Sequence, residues 1–370
     1  MKTIFYIQQS PALAGSQKSL LRLMKALDER WRPVLITGSD GWLTSEVRTA
    51  GIPVIVYPFP SSRSFKARLF GNWFFGRTVA KLCKSYIDGG CLVHGNDHIQ
   101  SLLALALARA LQVPSVLTVR SGAMNRRDFF KYGCDRHSNV VSVGEKLLWE
   151  IGEWSRSVNV TLIENGVNDT EINPPAKSTR RFPSTVLVPG SIPEFKGWRD
   201  LVDALVLLEE QGSGAAVEFQ LLGNNNGLDV AEAVGAVRLK TFRIRHIPLT
   251  HDFKKTASMY QFAVHPSRSE SFGMALLEVL AAGVPVLTSR TGVAERVVAD
   301  SRFLFEPSNP VDLAEKLASL MSDFSGADQV ARRAQEIIRK QYCVSRTAAQ
   351  YMELYQSVMS LADFSPVSSN

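Results

Sequence analysis

The chain has 370 residues, 45% hydrophobic and 21% charged, an ordinary globular make-up that at roughly 150 residues per domain means two domains. That composition excludes disorder, collagen and a disulfide scaffold, and the four scattered cysteines, Cys83, Cys91, Cys134 and Cys343, form no C-x-x-C pair and sit at no zinc-ligand spacing with a histidine. The net charge of +7 is lopsided: residues 1–170 hold 21 Lys and Arg against 13 Asp and Glu, the rest 21 against 22, which fits a basic half meeting an acidic partner as well as plain solubility.

In chain order, short apolar runs at 4–7, 34–36, 54–57, 92–93, 116–119, 140–143 and 161–163 predict strands, with helices such as 17–28 and 99–111 between them. Strands alternating with helices predict parallel sheets covered on both faces. The stretch up to 184 then carries Pro174, Pro175 and Pro183 and few apolar residues, the mark of a linker. A second series follows, with strands at 185–188, 219–222, 242–245, 262–265, 286–288 and 303–305 and helices at 197–211, 273–282, 293–299 and 311–322. Helices at 328–341 and 345–361 close the chain. The expected division is a first domain over 1–168, a linker over 169–184, a second domain over 185–345, and a C-terminal helix and tail over 346–370 packing back towards the first. Only five residues, 3–7, precede the polar Gln8, too few for a signal peptide, and the longest purely apolar run, 102–108, is seven residues against about 20 needed to span a bilayer. A cytoplasmic protein is expected.

Several common chemistries lack their motif. The sequence has no G-x-G-x-x-G after the first strand, no phosphate-loop G-x-x-x-x-G-K-[ST], no H-E-x-x-H, no G-x-S-x-G and no D-x-D pair for a bridging metal. One segment stands out, from His265 through Arg268, Glu270, Phe272, Gly273 and Met274 to Glu278. A strand ends at His265 and a helix begins near Gly273. The first amides of a helix are unpaired and its dipole is positive there, so Phe272, Gly273 and Met274 can present N–H groups to a phosphate or a sugar hydroxyl. Glu278 lies about one and a half turns into that helix, and a carboxylate suits a vicinal diol such as a ribose. A capped helix with Glu270 at its positive end and Glu278 in solvent explains the same spacing.

The segment resembles the E-x7-E signature of the retaining glycosyltransferases of the GT-B type, family 4, also called glycosyl transferases group 1. Five further stretches carry the resemblance along nearly the whole chain: Ala281-Ala282-Gly283-Val284-Pro285-Val286, Thr291-Gly292-Val293-Ala294-Glu295, Asn165-Gly166-Val167-Asn168, Gly190 through Lys196-Gly197, and Gly15-Ser16 after the first strand. The resemblance implies an α/β fold of two Rossmann-like doubly wound domains facing across a crevice, and an enzyme that moves a sugar from a UDP-, GDP- or ADP-sugar to a polysaccharide, lipid-linked or other glycoconjugate acceptor with retention. It implies no cofactor and no metal. Glu278 would hold the donor ribose, Glu270 with the amides of Phe272 and Gly273 the transferred sugar, and Lys196 the leaving diphosphate. Gly15, Ser16, Gly190, Gly223, Asn224, Arg268 and Met274 would line the substrates.

Three positions depart from the family pattern: Ser191 stands for the usual diphosphate Arg, Arg120 for a His near the transferred sugar, and Asn168 for Asp. Loss of one charge-stabilising donor costs ~3 kcal/mol in the transition state, and Arg268 is the nearest substitute. The reading is a divergent active enzyme with Glu270, Lys196 and Arg120 at its centre. The alternatives are a weakened sugar-nucleotide-binding subunit that supports a partner transferase, and a nucleotide-sugar epimerase on the same fold. His94 and His98, beside a strand end, either touch substrate or are satisfied polar residues.

Residues 59–84 carry Arg63, Lys66, Arg68, Arg77, Lys81 and Lys84 without one acid, and Phe59, Phe65, Phe70, Trp73, Phe74 and Phe75. Phe70, Trp73 and Phe74 fall at i, i+3, i+4, and Arg77, Lys81 and Lys84 at i, i+4, i+7, so each set shares a helix face. This is the composition of a helix on an anionic membrane surface and points to a peripheral place on the cytoplasmic membrane face; a core of aromatics under solvated cations is the alternative. No nucleic-acid recognition motif is present.

Overall fold

Parallel strands in the middle of a sheet are buried on both faces and read as apolar runs, and the strands form two all-parallel sheets among the described residues. The computed structural model describes residues 1–60, 65–122, 124–173, 181–190, 193–212, 216–223, 239–250 and 252–363. Ser191 and Asn224 lie outside them.

The first sheet comprises β1 (Lys2–Gln8), β2 (Trp31–Thr37), β3 (Val54–Val56), β4 (Cys91–Gly95), β5 (Ser115–Val119), β6 (Asn139–Ser142) and β7 (Val160–Leu162), in the order β3-β2-β1-β4-β5-β6-β7. Phe5 of β1 pairs with Val34 on one side and Val93 on the other. The second comprises β8 (Thr185–Pro189), β9 (Val217–Leu222), β10 (Phe242–Ile247), β11 (Ala263–His265), β12 (Val286–Ser289) and β13 (Leu304–Phe305), in the order β10-β9-β8-β11-β12-β13. Both sheets reverse direction of growth next to their first strand, the doubly wound order in which ligands bind beyond the carboxyl ends of the strands, where the order switches. Those switch points are β1/β4 and β8/β11.

The chain divides into two compact units, one of Met1–Gly166 together with the stretch from Val344 onward, the other Val167–Cys343. In the first, the terminal helix Val344–Asp363 joins the core of β1, β4 and β5. Tyr351 and Tyr355 pack with Ile4, Tyr6, Leu92 and Val116. Their hydroxyls are satisfied inside: Tyr355 meets Tyr6 at 3.0 Å and His94 Nδ1 at 2.6 Å, while His94 Nε2 and Tyr351 meet Thr118 Oγ1 at 2.7 and 2.8 Å. His94 is therefore a fully buried, fully bonded residue, and burial drives its pKa far below the usual histidine range. Five polar side chains that would each be costly to bury alone are affordable together because each has a partner.

Candidate active site

The site in the second unit is built by two loops that leave neighbouring strands at the switch point. After β8 come Gly190, a short turn Glu194–Lys196 and Gly197; after β11 come residues 266–270. The loops are locked together: the Arg268 amide donates to the Phe195 carbonyl at 2.8 Å. Gly197 is held at φ +69°, and a Cβ there would lie 1.7 Å from the Pro266 carbonyl oxygen, so only glycine allows the two loops to meet.

The approach brings Lys196 and Glu270 together. Lys196 Nζ donates to Glu270 Oε1 at 2.6 Å, with the side chains 20% and 11% exposed. His265 Nε2 comes within 3.3 Å of the same oxygen, too poorly aligned for a hydrogen bond, and has no other partner among the described residues. Burial pushes the Glu270 carboxyl pKa up, but the Lys196 charge and the contact with His265 outweigh it and hold it at about 2. The result is a fixed carboxylate beside an ammonium. Of the three ammonium N–H groups, one is given to Glu270, which leaves two to face an anionic ligand.

The helix Met274–Ala281 starts directly after this loop. Gly273 precedes it at φ +104° and no side chain caps it, so its first amides keep their donor capacity. The Phe272 ring is buried against Tyr342, edge to face with centroids 5.8 Å apart, and the Phe272 carbonyl accepts from the Val293 amide at 2.8 Å. Phe272 thus anchors the loop through its ring. Met274 and Glu278 are half-buried on the helix. Gly190 and Gly223 sit at the same sheet edge, the Gly190 amide bonded to the Leu222 carbonyl at 3.0 Å and that of Gly223 to Ile247 at 3.1 Å.

Arg268 is placed differently from a free diphosphate cation. Its guanidinium is bidentate to Asp200, Nε to Oδ2 at 2.8 Å and Nη2 to Oδ1 at 2.5 Å, and Asp200 is only 5% exposed. Most of its charge is matched by that carboxylate, and both of its bonded nitrogens are engaged there, whereas Lys196 gives Glu270 one of its three N–H groups.

In the first unit, the β1/β4 switch point gathers Gly15, Ser16 and Arg120. Gly15 is exposed and Ser16 half-buried at the start of the helix Gly15–Ala26. Asn96, after β4, donates to Gln8 Oε1 at 2.6 Å and to the Ser16 carbonyl at 3.3 Å. Arg120, after β5, is aimed by three acceptors: Nε donates to Asn96 O and Oδ1 at 3.2 and 3.0 Å, and Nη1 to Asn165 Oδ1 at 2.7 Å. His98 pairs with Asp97 at 2.9 Å. Sequence reasoning missed His265 as a neighbour of Glu270, Asp200 as the anchor of Arg268, and Asn96 and Asn165 as the cradle of Arg120. Of these, His265 and Asn165 lie inside segments that the sequence singles out, and Asp200 and Asn96 do not. Among the described residues no group of three or more His, Cys, Asp and Glu is placed to hold a metal ion, and no described helix is long and apolar enough to cross a membrane.

Two Rossmann-like units built on parallel sheets of seven and six strands are the architecture of the GT-B glycosyltransferases. Family models agree on each half: that of the glycosyl transferases group 1 matches residues 170–338 and that of glycosyltransferase family 4 matches residues 13–171. The chain belongs to this family. It is similar to an uncharacterized glycosyltransferase of Methanocaldococcus jannaschii, 24% identical over 96% of this chain and 97% of the other. It is also similar to a glycogen synthase of Mycobacterium tuberculosis, 25% identical over 71% of this chain and 68% of that protein. Anabaena HepE, whose crystal structure holds UDP and glucose, shares the fold with a TM-score of 0.76 at 18% identity, covering 96% of this chain and 99% of that one.

Proposed function

We propose that the protein transfers a sugar from a nucleotide-sugar donor to a glycan or lipid-linked acceptor with retention of anomeric configuration. The observation that carries this reading is the Lys196–Glu270 pair at the β8/β11 switch point, at 2.6 Å. There an ammonium offers two further N–H groups to a leaving diphosphate. The amides of Gly273 and Met274 add the positive end of a helix. Glu270, held ionised by Lys196, accepts hydroxyl hydrogen bonds from the transferred sugar, and Glu278 takes the ribose diol. Gly190 and Gly223 let the nucleotide approach the sheet edge without side chains in the way. Arg120, aimed by Asn96 and Asn165, supplies a cation on the acceptor unit. UDP and glucose bound in HepE support a UDP-sugar as the first donor to try.

The diphosphate is neutralised by Lys196 and the helix start, so turnover continues in EDTA. The test is a thermal-shift screen against UDP-, GDP- and ADP-sugars, since a specific ligand raises stability by mass action, followed by donor turnover with and without EDTA. A stabilising donor that is turned over in EDTA supports the reading. Stabilisation without turnover would instead favour the weakened subunit that Ser191 suggests, and no stabilisation by any donor would end the proposal.

A further inference from the structure

The helix Phe65–Cys83 lies against the helix Ser101–Leu111 so closely that a Cβ on Gly76 would stand 2.4 Å from the Ala106 carbonyl oxygen. Beside that contact lies a groove of about 770 Å³, whose lining includes Trp73, Arg77, Lys81, Lys84, Arg109 and Arg136. Arg77 and Lys81 come from the first helix, Lys84 from the turn Lys84–Tyr86 that follows it, Arg109 from the second helix and Arg136 from the turn Cys134–Arg136. No acidic residue lines the groove.

The absence of compensation is local. Elsewhere in the same unit, Arg30, Arg32 and Arg48 each hold an aspartate within 2.6 to 2.7 Å. Among the described residues none of the five groove cations has such a carboxylate, and Arg77 instead lies over the Trp73 ring at 4.2 Å. Like charges converging from four elements repel one another, an arrangement relieved by a multivalent anion. One turn away along the same helix, Phe70, Trp73 and Phe74 are 69%, 50% and 60% exposed, while Phe75 beneath them is buried against Phe59. Solvent-exposed aromatics next to phosphate-seeking cations match the two layers of a membrane interface, headgroup and upper acyl chain.

We propose that this groove docks the first unit on an anionic membrane by holding lipid phosphate headgroups between Arg77, Lys81, Lys84, Arg109 and Arg136, with Phe70, Trp73 and Phe74 seated at the acyl boundary. Arginine and lysine are the side chains that bind phosphate by charge and by paired N–H groups. The inference is independent of the donor reading, because it is measured without nucleotide or acceptor.

The experiment is co-sedimentation of the full chain with vesicles of phosphatidylcholine alone or mixed with phosphatidylglycerol, across a salt titration. The wild type is expected to sediment with the mixed vesicles only, and less as salt rises. A Lys81→Gln, Arg109→Gln, Arg136→Gln variant should bind on the order of 100-fold more weakly, roughly fivefold per cation, with its melting curve unchanged. Tryptophan emission should shift to the blue on the mixed vesicles and lose that shift in Trp73→Phe. Equal binding to neutral and mixed vesicles, or equal binding by the variant, would overturn the proposal. So would tight binding to soluble polyphosphate with no vesicle binding, which would make the groove a site for a soluble polyanion. The salt and lipid arms need no variant, so the result stands whatever the substitutions do to folding.

Discussion

The two units share one strand order and differ in what they place inside it. At the first switch point the polar groups near the strands turn inward: His94, Thr118, Tyr6, Tyr351 and Tyr355 satisfy one another in the core. At the second, a charged pair stands at the strand ends with donor capacity to spare. The comparison teaches that a doubly wound sheet offers a ligand position without filling it. What fills it is the loop chemistry, and among the described residues only the second unit pairs a lysine with a buried carboxylate held ionised by its surroundings.

The sharpest way to break that contrast is Lys196→Ala. Removing the leaving-group donor should cost donor turnover ~10²–10³-fold, and the substitution also leaves Glu270 buried without its partner. Initial rates at saturating donor check it, and a loss below tenfold would place the diphosphate elsewhere. Gly197→Ala tests the loop clamp. A left-handed φ and a Cβ against a backbone oxygen should together cost about 3 kcal/mol or more of stability, read by denaturant unfolding of the wild type and the variant. Glu278→Ala should weaken nucleotide-sugar affinity by ~1.5–3 kcal/mol, the worth of hydrogen bonds to a charged group. Calorimetry giving an unchanged affinity would remove Glu278 from the site.

A smaller effect separates the units by pH. His94 and His137 are buried, and burial holds both below their free value of 6.5, His137 at about 3. The unfolded chain therefore takes up protons first, and the first unit loses stability as pH falls below 6.5, by up to about 1.4 kcal/mol per pH unit for each histidine. Glu270 is held at about 2 against 4.5 free, so its contribution is present above 4.5 and is lost only as pH falls from there towards 2. Hydrogen exchange at pH 7 and pH 5, corrected for intrinsic rates, should show β4 and β5 losing protection while β8 and β11 keep theirs.

Most strands were legible because burial on both faces leaves apolar runs, the edge strand β10 with its Phe-Arg-Ile-Arg alternation being the exception, and the structure shows a strand at each predicted place. The segment from Glu270 to Glu278 was legible because its spacing is local to one loop and one helix. The aromatic face of Phe70, Trp73 and Phe74 was legible for the same reason: i, i+3, i+4 spacing is a property of the helix itself. What stayed hidden depends on pairing across the chain. Asp200 meets Arg268 across 68 residues and His94 meets Tyr355 across 261, and neither separation leaves a mark in a local window. Arg268 therefore reads from sequence as a free cation and is found spent on Asp200, and His94 reads as a strand-end polar residue and is found in the core.

The most direct measurement is a hydrogen-exchange footprint of the whole chain with and without the nucleotide sugar that stabilises it most. The account predicts slower exchange in peptides covering 193–201 and 265–278, lost in Lys196→Ala. Protection confined to peptides of the first unit, such as 8–17 and 95–101, with the second unit unchanged, would contradict it.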